Sequence, residues 1–161
     1  MESRFGGYVH KFGDNINTDI ISPPAYMELS IKEAAKYTMQ PVAPEFAARY
    51  KPGDIIVAGK NFGPGSSRET APLCLRELGV KIIVAKSFAR IFYRNSINLG
   101  MLAIECAEAD KIENGDEIEV DVLAGIIVNK SKNETYAASK MPEHIIKLVE
   151  IGGLVPYLES L

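Results

Sequence analysis

The residues able to do chemistry in this sequence fall in three polar stretches: GDNINTDIISP (Gly13 to Pro23), NFGPGSSRE (Asn61 to Glu69) and SFARIFYRNSIN (Ser87 to Asn98). The second is the most informative. Gly63, Pro64 and Gly65 resist a helix, because proline lacks an N–H and glycine has too much backbone freedom to lose. The following SSRETAPLCLRELG can be helical if Pro72 falls in the first turn. A tight turn feeding a helix N-terminus is therefore predicted, with unpaired N–H groups and the positive end of the dipole at its mouth. Arg68 is out of place there, since the dipole disfavours a cation. An anion at the same position, a phosphate or a carboxylate, resolves the conflict.

Each of these residues also has a plainer role. Ser66 or Ser67 can cap the helix, and Glu69 stands in capping-box register with Ser66. Pro72 argues for a later start, capped by Thr70. Asp19 reads either as a site carboxylate or as a turn-former bonding its own backbone. Asp14 and Asn15 read as turn residues. Arg90 and Arg94, four apart, share a helical face that solvent or ion pairs can satisfy. The glycines are followed by no GK[ST], so this is not a Walker A loop, and GPGSSR lacks the third glycine of a dinucleotide fingerprint. His10 and His144 are remote from each other and without metal-ligand spacing. Cys74 and Cys106 share no CxxC spacing and lie in apolar surroundings, as small buried side chains do. Spacing alone thus yields an anion site with no reaction specified.

The elements that must position these stretches follow from periodicity. GGYVHKF reads as a short strand ended by Gly13-Asp14-Asn15, and Asn17 to Tyr26 as loop broken by Pro23-Pro24. IKEAAKYTM and PEFAARY are short helices within an excursion, Pro23 to Lys51, whose flanks carry no strong packing signal. IIVAG, KIIVAKS and MLAIECA are buried strands, alternating with a helix to about Leu78 and a second over FARIFYRNSINLG, closed by Gly100. That order predicts a parallel, layered core. After Asn114-Gly115-Asp116, DEIEVDV, AGIIVN and ETYAAS read as an antiparallel meander, and MPEHIIKLVEIGG as a last amphipathic helix. A single domain over residues 1–161 is expected.

Bulk properties narrow the function classes. The net charge of −3 and the lack of a basic cluster give no footprint for nucleic acid. No apolar run reaches the length of a membrane span, so a soluble cytoplasmic protein is expected.

GDNINTD, GKNFGPGSSRE and AKSFARIFYRNSINLG, in that order and with GGLVPYL near the end, resemble the swivelling domain of the aconitase superfamily. Within it the sequence is most similar to the small subunits of the isopropylmalate dehydratase and homoaconitase branches. The resemblance implies a three-layer β/β/α swivelling fold of the aconitase C-terminal type. It implies a hydro-lyase, active only with a large subunit that carries a [4Fe–4S] cluster, and no metal on this chain. By resemblance Ser66 is the proton-abstracting base and Asp19 the site aspartate, while Ser67, Arg68 and Ser22 hold substrate. The substrate class implied is a small hydroxy-diacid, whose hydroxyl moves between adjacent carbons, as in leucine biosynthesis.

Two departures matter. Many relatives have cysteine or glutamate where Pro64 stands, which alters the turn and leaves SSRE intact. Homoaconitase-type relatives carry a motif similar to YLRT, whose arginine receives an extra carboxylate. Here the corresponding residues are Tyr26, Met27, Glu28 and Leu29. Glu28 would repel a distal carboxylate, which favours an alkyl-substituted malate. A hydro-lyase for dimethylmalate, methylmalate or homoaconitate, or a non-catalytic anion-binding module of the same fold, remain the alternatives.

Overall fold

The structure is a computed structural model and describes residues 3–65 and 69–161. Seven strands form one curled sheet, in the order Leu102–Glu105, Ile82–Ala85, Ile55–Ala58, Arg4–Lys11, Glu117–Asp121, Ile126–Asn129 and Glu134–Ala137. Strands β1 (Arg4–Lys11), β2 (Ile55–Ala58), β3 (Ile82–Ala85) and β4 (Leu102–Glu105) are parallel. Strand β1 also pairs antiparallel with β5 (Glu117–Asp121), which continues into β6 (Ile126–Asn129) and β7 (Glu134–Ala137). β1 is therefore the seam between two kinds of sheet. The curl brings the far ends together: Ser139 N–H donates to Glu105 O at 2.8 Å, on the opposite edge strand, and Glu105 N–H donates back to Ser139 Oγ at 2.9 Å.

Alternation along the parallel strands builds two cores. Ile55, Val57, Ile82, Val84, Leu102 and Ile104 face the meander residues Ile118, Val120 and Ile127 and the helix α6 (Glu143–Ile151). Ile56, Ala58, Ile83 and Ala85 face the other way, onto Leu75, Phe62, Phe92 and Met39. Both faces of these strands are covered, which is why they read as unbroken apolar runs. The layers are thus meander, parallel sheet and helices, the β/β/α arrangement expected from the sequence.

Helix α4 (Thr70–Glu77) joins β2 to β3, and α5 (Arg90–Asn98) joins β3 to β4. The α4 start is the later of the two expected, with Pro72 inside the first turn, but the cap position is Glu69 rather than Thr70, and the Glu69 side chain makes no capping hydrogen bond. Helix α5 begins at Arg90, two residues after the expected Phe88. The cause is tertiary: Phe88 makes a parallel bridge with Phe62, which draws it out of helical geometry.

The long connection from β1 to β2 is more ordered than its sequence suggests. Thr18–Ile21 forms a helical turn, α1, because Asn17 Oδ1 accepts the Ile20 N–H at 2.9 Å. A 3-10 turn, Pro24–Tyr26, leads to α2 (Ile31–Ala34) and, after the 3-10 turn Ala35–Tyr37, to α3 (Phe46–Arg49). The weak packing expected of this excursion is not what is found. Tyr26 stacks on Tyr37 at 3.8 Å and donates its hydroxyl to Gln40 Oε1 at 2.8 Å. Met39 adopts a left-handed conformation, φ 65°, which costs a bulky residue about 1–2 kcal/mol. Its complete burial, worth about 1.5–3 kcal/mol, offsets that cost. Its N–H also reaches Ile21 O at 3.3 Å, tying the excursion to α1. A further helix, α7 (Leu154–Glu159), follows Gly152-Gly153, where no helix is expected from periodicity.

Candidate functional site

The loops that follow β1, β2 and β3 leave from the same end of parallel strands, where open α/β sheets place their sites. They are stitched together residue by residue. Between the first and second loops, Asn15 N–H donates to Lys60 O (2.8 Å), Gly63 N–H to Ile16 O (2.8 Å) and Thr18 N–H to Pro64 O (2.9 Å). Lys60 N–H donates to Asp14 Oδ1 at 2.7 Å. Between the second and third, Phe62 N–H donates to Ser87 O (3.0 Å), Ala89 N–H to Phe62 O (2.9 Å) and Asn61 N–H to Ser87 Oγ (2.8 Å). Phe62 is fully buried against the rings of Phe88 and Phe92, anchoring this seam in the core.

Two of the three polar stretches thus supply backbone rails for the third. The 61–65 segment is held on both sides up to Gly65. Ser66, Ser67 and Arg68 lie outside the described residues, between Gly65 and the first turn of α4. Their neighbours bracket them: Gly65 abuts Thr18 of α1, and Glu69 is exposed at the α4 cap.

Asp19 is exposed in the first turn of α1, next to Thr18. The bonds between the loops therefore bring it to the same end of the sheet as the exit from Gly65. Ser22 is half-buried at the C-terminal cap of α1, and its hydroxyl accepts a long contact, 3.9 Å, from Cys74 Sγ on α4. Burial pushes the Cys74 thiol up, only partly opposed by hydrogen bonding with Ser22 and Thr38. A protonated, buried thiol is a packing group and not a nucleophile.

Of the 26–29 loop, Tyr26 is committed to Tyr37 and Gln40, a structural role. Met27 and Leu29 are each 43% exposed, and Glu28 is exposed. Their side chains are turned outward from the fold instead of lining its core. Arg90 and Arg94 are likewise exposed, as a solvated helix face would be.

Cys74 and Cys106 are both free and buried in separate apolar clusters. That pair does not fit the ligand set of an iron–sulfur cluster. Among the described residues no group of three or more His, Cys, Asp or Glu is arranged to hold a metal ion. No described helix is long and apolar enough to cross a membrane.

The model of the aconitase C-terminal domain matches residues 10–109, which spans all three loops. The chain belongs to the aconitase C-terminal domain family. Among members of this family, it is 49% identical to a 3-isopropylmalate dehydratase small subunit of Archaeoglobus fulgidus, over 96% of this chain and 97% of that one. It is 51% identical to one from Aquifex aeolicus, over 99% and 97%. A crystal structure of a 3-isopropylmalate dehydratase from Methanocaldococcus jannaschii superposes with a TM-score of 0.91 at 41% identity, covering 98% of this chain and 94% of that one. Within the aconitase C-terminal domain family, the chain thus falls with the 3-isopropylmalate dehydratase small subunits.

Sequence reasoning missed the residues that tie the family's loops together. The sequence marks Asn15 only as a turn residue, and marks Asn61 and Ser87 only by their place in the polar stretches. One signal was present: both asparagines border glycine-containing turns, where asparagine tolerates left-handed backbone.

Proposed function

We propose that this chain is the small subunit of a 3-isopropylmalate dehydratase, acting as one swivelling domain on a cluster-bearing large subunit in the cytoplasm. The reaction is reversible dehydration and rehydration of isopropylmalate, moving its hydroxyl to the adjacent carbon, a step of leucine biosynthesis. The observation that carries this reading is identity near 50% along almost the whole length of relatives bearing that name. The stitched loops at the strand ends support it from the side of geometry.

In this reading the [4Fe–4S] cluster belongs to the large subunit, because this chain's cysteines are buried apart from each other. The small subunit contributes proton transfer and recognition. Ser66 takes and returns the proton at carbon. A serine hydroxyl is a poor base in water, so this role needs preorganised donors around its oxygen. In this reading the N-terminus of α4, which begins at Thr70, contributes the positive end of its dipole. Arg68 offers a planar fork to one substrate carboxylate, with Ser67 beside it. Asp19 and Ser22 complete the wall on the α1 side. The outward-facing Met27, Glu28 and Leu29 meet the substrate's variable end, where two apolar side chains suit an alkyl group and Glu28 disfavours a third carboxylate.

The test is a side-by-side measurement of kcat/KM with isopropylmalate, citraconate, dimethylmaleate and homoaconitate. It uses the protein purified anaerobically with the large subunit from the same source. Preference for isopropylmalate is expected. Preference for another diacid would keep the hydro-lyase chemistry and replace the pathway. No turnover of any of them by a formed, cluster-loaded complex would overturn the catalytic reading.

A further inference from the structure

Asn61 has an unusual set of connections. Its backbone is left-handed, with φ 56°, and so is that of Asn15, with φ 55°. The Asn61 side-chain amide donates to Asn15 Oδ1 at 3.1 Å, while the Asn61 backbone N–H donates to Ser87 Oγ at 2.8 Å. One exposed residue therefore joins all three strand-end loops: its own, the loop after β1 and the loop after β3. The chain leaving it reaches Gly65 within four residues and then enters 66–68.

We infer that Asn61 is a positioning residue that sets the exit of the second loop at Gly65 against the α1 turn carrying Asp19, acting through Asn15. The argument has two parts. First, the loop after β1 carries Asn15, Thr18 and Asp19 within five positions, so a displacement at Asn15 is passed to α1 over a short path. Thr18 N–H on Pro64 O and the seating of Gly65 against Thr18 then return that displacement to the exit toward Ser66. Second, Asn15 and Asn61 are both exposed and bury little apolar surface. Their mutual hydrogen bond has small consequence for folding. Its consequence for the relative placement of two functional segments is larger, because misplacing reacting groups by about 1 Å can cost on the order of 100-fold in rate. Left-handed backbone at both positions aims the two amides at each other, a use that glycine at either position would not serve.

The inference rests on the proposed function only where it calls Ser66 and Asp19 catalytic. It is tested in the complex with the large subunit, using Asn61→Asp, Asn61→Gly and Asn15→Asp. Asn61→Asp replaces the donor with an acceptor facing Asn15 Oδ1. Asn61→Gly keeps the left-handed backbone and deletes the amide. Both are expected to lower kcat by roughly tenfold or more, with KM and complex assembly nearly unchanged. Asn15→Asp preserves the acceptor and is expected to stay within about twofold of the parent. Wild-type kcat in Asn61→Gly would overturn the inference, since only the backbone conformation would then matter. Equal losses in Asn15→Asp and Asn61→Asp would also overturn it.

Hydrogen–deuterium exchange on the same variants gives a readout independent of activity. Faster exchange confined to residues 13–19 and 61–65 is expected in Asn61→Asp and Asn61→Gly. Unchanged exchange there sinks the inference whatever the kinetics. If the parent complex fails to turn over isopropylmalate, the proposed function falls and the exchange measurement alone decides the role of Asn61.

Discussion

Gly65 is seated directly on Thr18: a Cβ at Gly65 would lie 2.6 Å from Thr18 Oγ1. Gly65 also holds φ at 122°, a region that residues with a side chain rarely adopt. The contact is the last described point of the second loop before 66–68, and Thr18 belongs to the turn that carries Asp19.

Gly65→Ala therefore carries two separable penalties, backbone strain and displacement of α1. Gly115 provides the control, because its φ is 86° but nothing lies within 4 Å of an added Cβ. Gly115→Ala is expected to cost about 1 kcal/mol of stability with turnover retained, seen as a fall in Tm of roughly 2–4 °C. Gly65→Ala is expected to lose a similar or greater stability and at least about tenfold in kcat. Thermal denaturation and steady-state kinetics on both variants separate the effects. Matching kcat values would show that the Thr18 contact has no part in the chemistry.

Ser66→Ala addresses the base directly. Removing a proton-transfer group is expected to lower kcat by about 10²–10⁴-fold. Assembly with the large subunit should persist, because the described bonds that hold residues 61–65 run to the loops after β1 and β3. Size-exclusion chromatography of the mixed subunits checks assembly, and single-substrate kinetics checks turnover. A variant with near-normal kcat would assign the base elsewhere.

Selectivity between diacids is expected to follow charge at residue 28. Glu28 is exposed beside Met27 and Leu29, so its substitution falls on the surface and not in the core. Glu28→Arg exchanges repulsion of a distal carboxylate for attraction. At an exposed position that is worth about 1–2 kcal/mol, or roughly 5- to 30-fold. The ratio of kcat/KM for homoaconitate over isopropylmalate should rise by that factor. An unchanged ratio would remove this loop from substrate selection.

How much of this was legible in the sequence depended on whether each feature is local. Ile55–Ala58, Ile82–Ala85 and Leu102–Glu105 announce buried parallel strands because both faces of each are covered, and the alternation of Glu117–Asp121 announces a half-buried one. That much fixes the layers. The double pairing of β1 was not legible, since alternation along Arg4–Lys11 says which residues are buried but not which strand lies on either side. The α1 turn was hidden for a different reason: an asparagine cap at Asn17 competes with the turn chemistry of the surrounding Asn and Asp residues. The late start of α5 and the Asn15–Asn61 bond depend on partners 26 and 46 residues apart in sequence. No local pattern encodes those. The motif GSSRE pointed to an anion site at a helix start, and the helix does start at Thr70; the roles of Ser66, Ser67 and Arg68 remain proposals of the family resemblance.

Acid stability is expected to depend on Asp116, at the turn into β5. Burial would raise its carboxyl pKa, but the Glu113 N–H, the Asn129 amide and the cations Lys132 and Lys11 outweigh burial and hold it below the ordinary value. The geometry agrees: Asp116 Oδ2 accepts from Glu113 N–H at 2.9 Å and from the fully buried Asn129 Nδ2 at 2.8 Å. A carboxylate with a depressed folded-state pKa binds fewer protons folded than unfolded. Its contribution is therefore present above the unfolded value, about 3.9, and is lost as pH falls through the lower folded value. As pH falls below about 4, the parent protein should lose stability more steeply than Asp116→Asn, in which no proton is taken up at this position. At neutral pH the order reverses in absolute terms, because Asp116→Asn forfeits the charge-assisted acceptor that Asn129 requires inside the fold. Urea melts of the isolated chain at several pH values measure both. Parallel stability–pH curves for the two proteins would show that the Asp116–Asn129 contact carries no linked proton.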